Sequence, residues 1–115
     1  MLTFSPAVRI FVCCEPVDLR CTYDGLSGRV ESLLHNDPLS GHLFVFFNKR
    51  RNQVRILMWD RTGYCLFGKR LERGHFAIGE AGELDHARLQ LILEGIDLEH
   101  SRQHRRFSLP ICNNN

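Results

Sequence analysis

The sequence predicts a single α+β domain, an antiparallel β-meander with two helices packed on the sheet. Its length of 115 residues is that of one domain. Strand-like segments separated by turn signals fill the middle of the chain, and a segment with helical spacing lies on each side of them. We place the domain at residues 1–98. Residues 99–115 are polar and basic and end in three asparagines, so we expect a disordered tail there.

Runs of β-branched and aromatic residues predict five strands. In chain order they cover residues 8–14, 42–48, 53–60, 64–71 and 75–78. Residues 49–52 form the predicted tip of one hairpin. Residues 60–63 read as a type I turn in which Gly63 takes the left-handed position of a bulged loop. The strand at 42–48 is apolar on both faces, so both faces of the sheet need a covering layer.

Two helices can supply that cover. Asp18 is the predicted N-cap of the first, and apolar residues then recur at spacings of three and four on one face: Leu19, Tyr23, Leu26, Val30, Leu33 and Leu34. The second is capped by Asp85, turns Leu89, Ile92 and Leu93 inward, and ends at Gly95. If the second helix falls short, a homodimer partner would complete the cover.

Composition excludes several classes of protein. The longest apolar run, Leu43 to Phe47, is far shorter than the ~20 residues of a membrane span, and no basic segment precedes an apolar stretch at the N-terminus. We therefore expect a cytoplasmic protein with no membrane partner. The five cysteines form no C-x-x-C pair, and the six histidines show no metal-binding spacing. We expect reduced thiols, no metal and no cofactor.

Charge is strongly segregated along the chain despite a net charge of +2. Residues 42–76 carry a balance of +6, whereas residues 77–99 carry −5. The candidate nucleic-acid-binding residues lie in this basic block: Lys49, Arg50, Arg51, Arg55, Lys69, Arg70 and Arg73. Clustered cations neutralise phosphates, and a two-stranded ribbon fits the DNA major groove. The alternative, that the tip is simply solvated and its charge protects a sheet edge, stays open.

No catalytic constellation emerges from the residues. The chain has no nucleophile elbow, phosphate loop or dinucleotide fingerprint, and its carboxylates are accounted for by caps, turns and neighbouring arginines. We expect no enzymatic activity, and a cryptic metal nuclease is the least favoured hypothesis. Trp59 is the only tryptophan and lies just before a turn. It is the candidate partner-binding residue, and half-buried packing is the competing interpretation.

Several motifs resemble one family. They are S-G-H-L-F-V-F at 40–46, I-L-M-W-D at 56–60, G-Y-C-L-F-G-K-R-L-E-R-G-H-F at 63–76, D-L-R at 18–20 with Y-D-G-L at 23–26, and L-I-L-E-G-I-D at 91–97. Together they resemble the TnpB accessory proteins, the second open reading frame products of insertion-sequence family sixty-six. The resemblance covers roughly residues 6–98.

The resemblance implies a role beside a separate, larger transposase that carries the acidic catalytic triad. We therefore expect a non-catalytic accessory factor in DNA transposition that binds DNA, at the insertion-sequence ends, through the basic hairpin surface. The expected partners are that DNA, the transposase and a possible second copy of the chain. The alternative is a protein–protein adapter that docks the transposase without touching DNA.

Overall fold

The sheet joins an antiparallel meander to a strand that enters by a helical crossover. The computed structural model describes residues 7–79 and 82–95. Its strands are β1 (Ile10–Val12), β2 (Leu43–Phe47), β3 (Gln53–Asp60), β4 (Gly63–Arg70) and β5 (Glu83–Leu84). Its helices are α1 (Tyr23–Leu33) and α2 (His86–Leu93). The strands lie in the order β4-β3-β2-β1-β5, so the predicted α+β class is confirmed.

The predicted meander is confirmed at β2, β3 and β4. β2 pairs antiparallel with β3, and β3 pairs with β4 over eight consecutive residue pairs, from Gln53 opposite Arg70 to Asp60 opposite Gly63. Alternation of side chains along β3 sets this register, because a slip of one residue would expose its buried face. The whole sheet is mixed, however, since β1 runs parallel to β2. The intervening helix provides the crossover that a parallel pair requires.

Each face of the sheet is covered by one helix. Leu43, Val45 and Phe47 of β2 pack with α2 on what we call the α2 face. Phe44 and Phe46 pack with α1 on the opposite, α1 face. Every residue of β2 is buried, so this strand is the centre of both cores. The two-sided cover expected from the apolar pattern is confirmed.

The cap of α2 is as predicted and that of α1 is not. The Asp85 carboxylate accepts a hydrogen bond from the Arg88 backbone N–H at 2.7 Å. Asp18, by contrast, lies before α1, whose N-cap is Thr22 without a side-chain hydrogen bond. The Asp18 carboxylate instead accepts hydrogen bonds from the backbone N–H of Arg20, at 3.0 Å, and from its guanidinium, at 2.7 Å. The Asp18 carboxylate therefore binds Arg20 and does not cap α1.

Two other local predictions are wrong. The left-handed residue of the β3–β4 turn is Arg61, with φ 51°, because the loop has only two residues and Gly63 already pairs with Asp60 in the sheet. Residues 75–78 are not a strand, although Phe76 is fully buried there. The fifth strand is β5, which pairs with β1.

The predicted tail at 99–115 lies outside the described residues. Within the two described ranges, no helix has the length and apolar character needed to cross a membrane. The fold thus has an apolar core on each face of the sheet. Its polar residues lie at the ends of the sheet and on the outer faces of the helices.

The α2 cap gives a direct stability prediction. Asp85→Ala removes the acceptor for Arg88 N–H and should lower the free energy of unfolding by about 1 kcal/mol. Thr22→Ala is the matched control, because the Thr22 side chain makes no cap hydrogen bond and its loss should cost less than half as much. Urea denaturation of both variants measures the difference. Equal losses would contradict the cap assignment.

The contact between Asp18 and Arg20 gives a pH prediction. Hydrogen bonding from Arg20 lowers the pKa of Asp18 from 3.8 to about 2. The stabilisation is therefore present above about pH 4 and is lost as pH falls through about 2. NMR titration of the Asp18 carboxyl carbon should give a midpoint near 2, moving back towards 3.8 in Arg20→Gln. A midpoint unaffected by the substitution would show that Arg20 is not the cause.

Candidate nucleic-acid interface

The β2–β3 hairpin ends in a hydrogen-bonded turn that carries exposed cations. Asn48 organises it: its side-chain amide donates to Asn52 Oδ1 at 2.7 Å, and its Oδ1 accepts from the Gln53 backbone N–H at 3.0 Å. Arg51 takes a left-handed backbone conformation with φ 58°, and its N–H donates to the Asn48 carbonyl at 3.0 Å. Lys49, Arg50 and Arg51 are all exposed as a result.

The segment that follows β4 carries two more cations to this tip. Leu71 N–H donates to the Asn52 carbonyl at 2.8 Å, and Phe76 N–H donates to the Arg51 carbonyl at 2.6 Å. The chain from 71 to 76 is therefore tied to the tip at both ends. Arg70 and Arg73, which flank Leu71, are exposed at the same end of the sheet. We call Lys49, Arg50, Arg51, Arg70 and Arg73 the basic end.

Most of the basic end is not neutralised by the protein's own carboxylates. Arg70 forms an ion pair with Glu72, with Nε and Oε2 3.2 Å apart, and both side chains are more than half exposed. Across the described ranges, no ion pair or side-chain hydrogen bond involves Lys49, Arg50, Arg51 or Arg73. Four cations are therefore available to an external anion without breaking an internal contact.

The other two predicted residues lie apart from the basic end. Residues directly opposite on β3 and β4 share a face, so Lys69, opposite Val54, lies on the α2 face. Its ammonium donates to the carbonyl of Leu93 at 2.7 Å, near the C-terminus of α2. Arg55, opposite Gly68, lies on the α1 face and is half-buried. The structure thus groups five of the seven residues and directs Lys69 and Arg55 elsewhere.

Neighbouring segments of the chain flank the hairpin almost to its tip. β4 continues until Arg70 is opposite Gln53, and on the other side the Val17 N–H donates to the Phe47 carbonyl at 3.0 Å. The hairpin is therefore not a free ribbon that could enter a groove by itself. The turn at residues 49–52 therefore lies between the end of β4 on one side and the segment around Val17 on the other.

A small cavity of about 70 Å³ lies beside the tip, lined in part by Cys13, Glu15, Lys49 and Arg51. Burial raises the pKa of the Cys13 thiol. Its Sγ donates to the Glu15 carbonyl at 3.5 Å, so this thiol is a packed, protonated group. Among residues 7–79 and 82–95, no cluster of three or more His, Cys, Asp or Glu side chains is arranged to hold a metal ion.

Trp59 lies at the opposite end of the sheet. Its indole meets the Tyr64 ring edge-to-face on the α1 face, with centroids 5.1 Å apart. The side chain is half-buried, but it belongs to neither core cluster. The basic end and Trp59 therefore lie at opposite ends of β3.

Sequence reasoning missed the residues that shape the basic end. Asn48 and Asn52 fix the turn, and the two backbone hydrogen bonds from Leu71 and Phe76 attach the second basic segment. An asparagine on each side of a Lys-Arg-Arg turn was the available signal, since asparagine commonly bonds nearby backbone in turns. No sequence pattern in residues 71–76 indicates that this segment binds to the hairpin tip.

Comparison with known proteins identifies the family. A family model described as "IS66 Orf2 like protein" matches residues 8–103. The uncharacterized protein y4hO of Sinorhizobium fredii (strain NBRC 101917 / NGR234) is 36% identical over 107 residues, which are 90% of this chain and 93% of that protein. The uncharacterized protein y4jC of the same strain is 42% identical over 76 residues, 66% of this chain and 65% of that protein. No solved structure matches. The chain belongs to the IS66 Orf2-like family, whose members are accessory proteins associated with transposition.

Proposed function

We propose that this protein is a non-catalytic accessory factor in transposition that binds duplex DNA through its basic end. One observation carries the proposal: five exposed cations lie at one end of the sheet, and four of them have no ion-pair partner in the described ranges. Neutralised phosphates release condensed counterions, and this release drives sequence-independent binding. A DNA duplex is the polyanion that a transposition factor meets.

Arg70 can join the phosphate contacts at little cost. Its ion pair with Glu72 is solvent-exposed, with side chains 65% and 78% accessible. Exposed pairs of this kind contribute about 0–1 kcal/mol, so a phosphate oxygen can replace the carboxylate. All five cations of the basic end then face DNA, while Lys69 keeps its bond to the C-terminal turn of α2.

Contacts of this type bind phosphates and do not read bases. Within the described residues the hairpin is flanked on both sides almost to its tip, so it cannot enter the major groove, where base pairs are distinguished, as a free two-stranded ribbon. The protein would therefore add affinity and position the DNA, and the element's transposase would select the insertion-sequence ends. A protein with this role would act in the cytoplasm, and that location is part of the same proposal.

Salt dependence tests the DNA contact. Fluorescence anisotropy with a labelled 25-base-pair duplex, measured from low to physiological salt, should give a log–log slope of about −0.9 per phosphate contact, or roughly −4.5 for five contacts. Removing two tip charges with Lys49→Gln and Arg50→Gln should make the slope shallower by about 2.

A matched double variant, Arg61→Gln with Arg88→Gln, removes the same charge from two exposed residues away from the basic end. Its slope should stay within about 0.5 of the unmodified protein. Equal effects of the two double variants would remove the basic end from the proposal. Absence of salt-sensitive binding would remove DNA contact altogether.

A second function is supported by Trp59. A tryptophan that is half-buried outside both cores and meets Tyr64 edge-to-face has the character of a binding hot spot. We propose that this end docks the transposase, either together with DNA binding or as an adapter that makes no DNA contact.

Truncation of Trp59 tests the docking role. In a pull-down with the element's purified transposase at high salt, Trp59→Ala should weaken capture at least tenfold, because hot-spot tryptophans contribute about 2 kcal/mol or more. Leu39→Ala is the control, since Leu39 is a large apolar residue that is 51% exposed. Equal capture of both variants would exclude Trp59 as the anchor.

A further inference from the structure

β4 is a long edge strand that lacks the usual protection. It has eight residues and lies at the end of the strand order, with β3 as its only sheet neighbour in the described parts of the chain. Its pairing with β3 is continuous and contains no bulge. From Gly63 to Gly68 it carries neither a charged residue nor a proline. Natural edges are normally blunted by charge, proline, bulges or short length. The other edge, β5, is only two residues long.

The open backbone groups of this edge can be identified. Leu71 N–H donates to the Asn52 carbonyl, which continues the β3–β4 ladder by one pair. Hydrogen-bonded pairs alternate along an antiparallel ladder. The odd-numbered residues of β4 therefore direct N–H and C=O toward β3. The even-numbered residues Tyr64, Leu66, Gly68 and Arg70 direct theirs away from the sheet.

The side chains of β4 also lack neighbours on that side. Leu66 is half-buried against the core of the α1 face, and Phe67 is half-buried against the core of the α2 face. One additional strand beside β4 would complete the burial of both residues. The missing neighbour is therefore a β-strand with an uncharged, apolar centre.

We propose that the neighbour is β4 of a second copy of this chain, paired antiparallel across a two-fold axis perpendicular to the sheet. Charge decides the orientation. Lys69 and Arg70 occupy one end of β4, so parallel pairing would place them beside the same cations of the other copy. Antiparallel pairing moves them to opposite ends, where Arg70 lies beside Tyr64 of the second copy. Arginine and tyrosine in that relation attract each other.

The open groups restrict the register. Even-numbered residues must lie opposite even-numbered residues, because those are the ones with free N–H and C=O groups. The register that pairs Tyr64 with Arg70 places Phe67 opposite Phe67 on the axis and Cys65 opposite Lys69 of the second copy. Odd-numbered positions then form the closer, non-hydrogen-bonded pairs, with Cα atoms about 4.5 Å apart. The pairing does not depend on DNA binding.

A cross-link between copies tests this register. In Lys69→Cys, each new thiol would lie opposite native Cys65 of the second copy, at a spacing a disulfide can span. Within one chain the two positions are four residues apart on an extended strand, about 13 Å, which is too far. Mild oxidation should give a covalent dimer whose linked peptides contain positions 65 and 69. Lys69→Cys combined with Cys65→Ser should not form it.

A second pair of variants keeps the test valid if Lys69→Cys disturbs the fold. Cys65 is exposed, so charge there is tolerated. Cys65→Lys would face Lys69 of the second copy and should raise the dimer dissociation constant at least tenfold, whereas Cys65→Glu should leave it unchanged or lower it. Sedimentation equilibrium measures both. A monomer at about 100 µM for the unmodified protein, equal behaviour of the two charged variants, or cross-links through other cysteines would overturn the proposal.

Discussion

The two-sided burial of β2 is the constraint on which the rest of the structure depends. Five consecutive residues of this strand are buried, with Leu43, Val45 and Phe47 on one face and Phe44 and Phe46 on the other. A sheet with such a strand must carry a layer on each face, and α1 and α2 supply those layers. The central part of each face is thereby buried under a helix. In the described part of the chain, the two ends of the sheet and the β4 edge are exposed, and each has its own chemistry. The basic end carries the unpaired cations, the opposite end carries Trp59 and Tyr64, and β4 offers unpaired backbone groups.

The parts of the fold that could be predicted from sequence are those governed by periodicity. β3 begins and ends where its alternation of apolar and other residues predicts, and the Asp85 cap, inward leucines and terminal Gly95 of α2 are all in place. Predictions failed where one residue can form any of several local interactions. Asp18 could cap a helix or bind Arg20, and only the arrangement of the loop decides between them. The parallel pairing of β1 had an available signal, since a helix between two strands is the usual crossover of a parallel pair. The short β5 had none, because two residues contain no period.

The candidate site shows the same division. Sequence alone places the candidate cations in residues 42–76, and the hairpin register then determines which of them converge at one end of the sheet. Arg70 reaches the basic end because β4 runs in register with β3 to Gln53, whereas the adjacent Lys69 is turned to the α2 face by strand alternation. Neighbouring cations in the sequence thus lie on different faces: Arg70 belongs to the basic end, whereas the Lys69 ammonium donates to the C-terminal turn of α2, where a cation is favoured. A count of cations along a strand therefore overestimates the candidate binding surface, because alternate residues of a strand face opposite layers.

Mapping the DNA contact on the folded protein tests the central claim most directly. In amide NMR spectra recorded during titration with a 20-base-pair duplex at low salt, the largest shift changes should fall on residues 48–52 and 70–76, with only small changes around Trp59. Shift changes centred on the Trp59 end, spread evenly over both helices, or absent at saturating DNA would contradict the account.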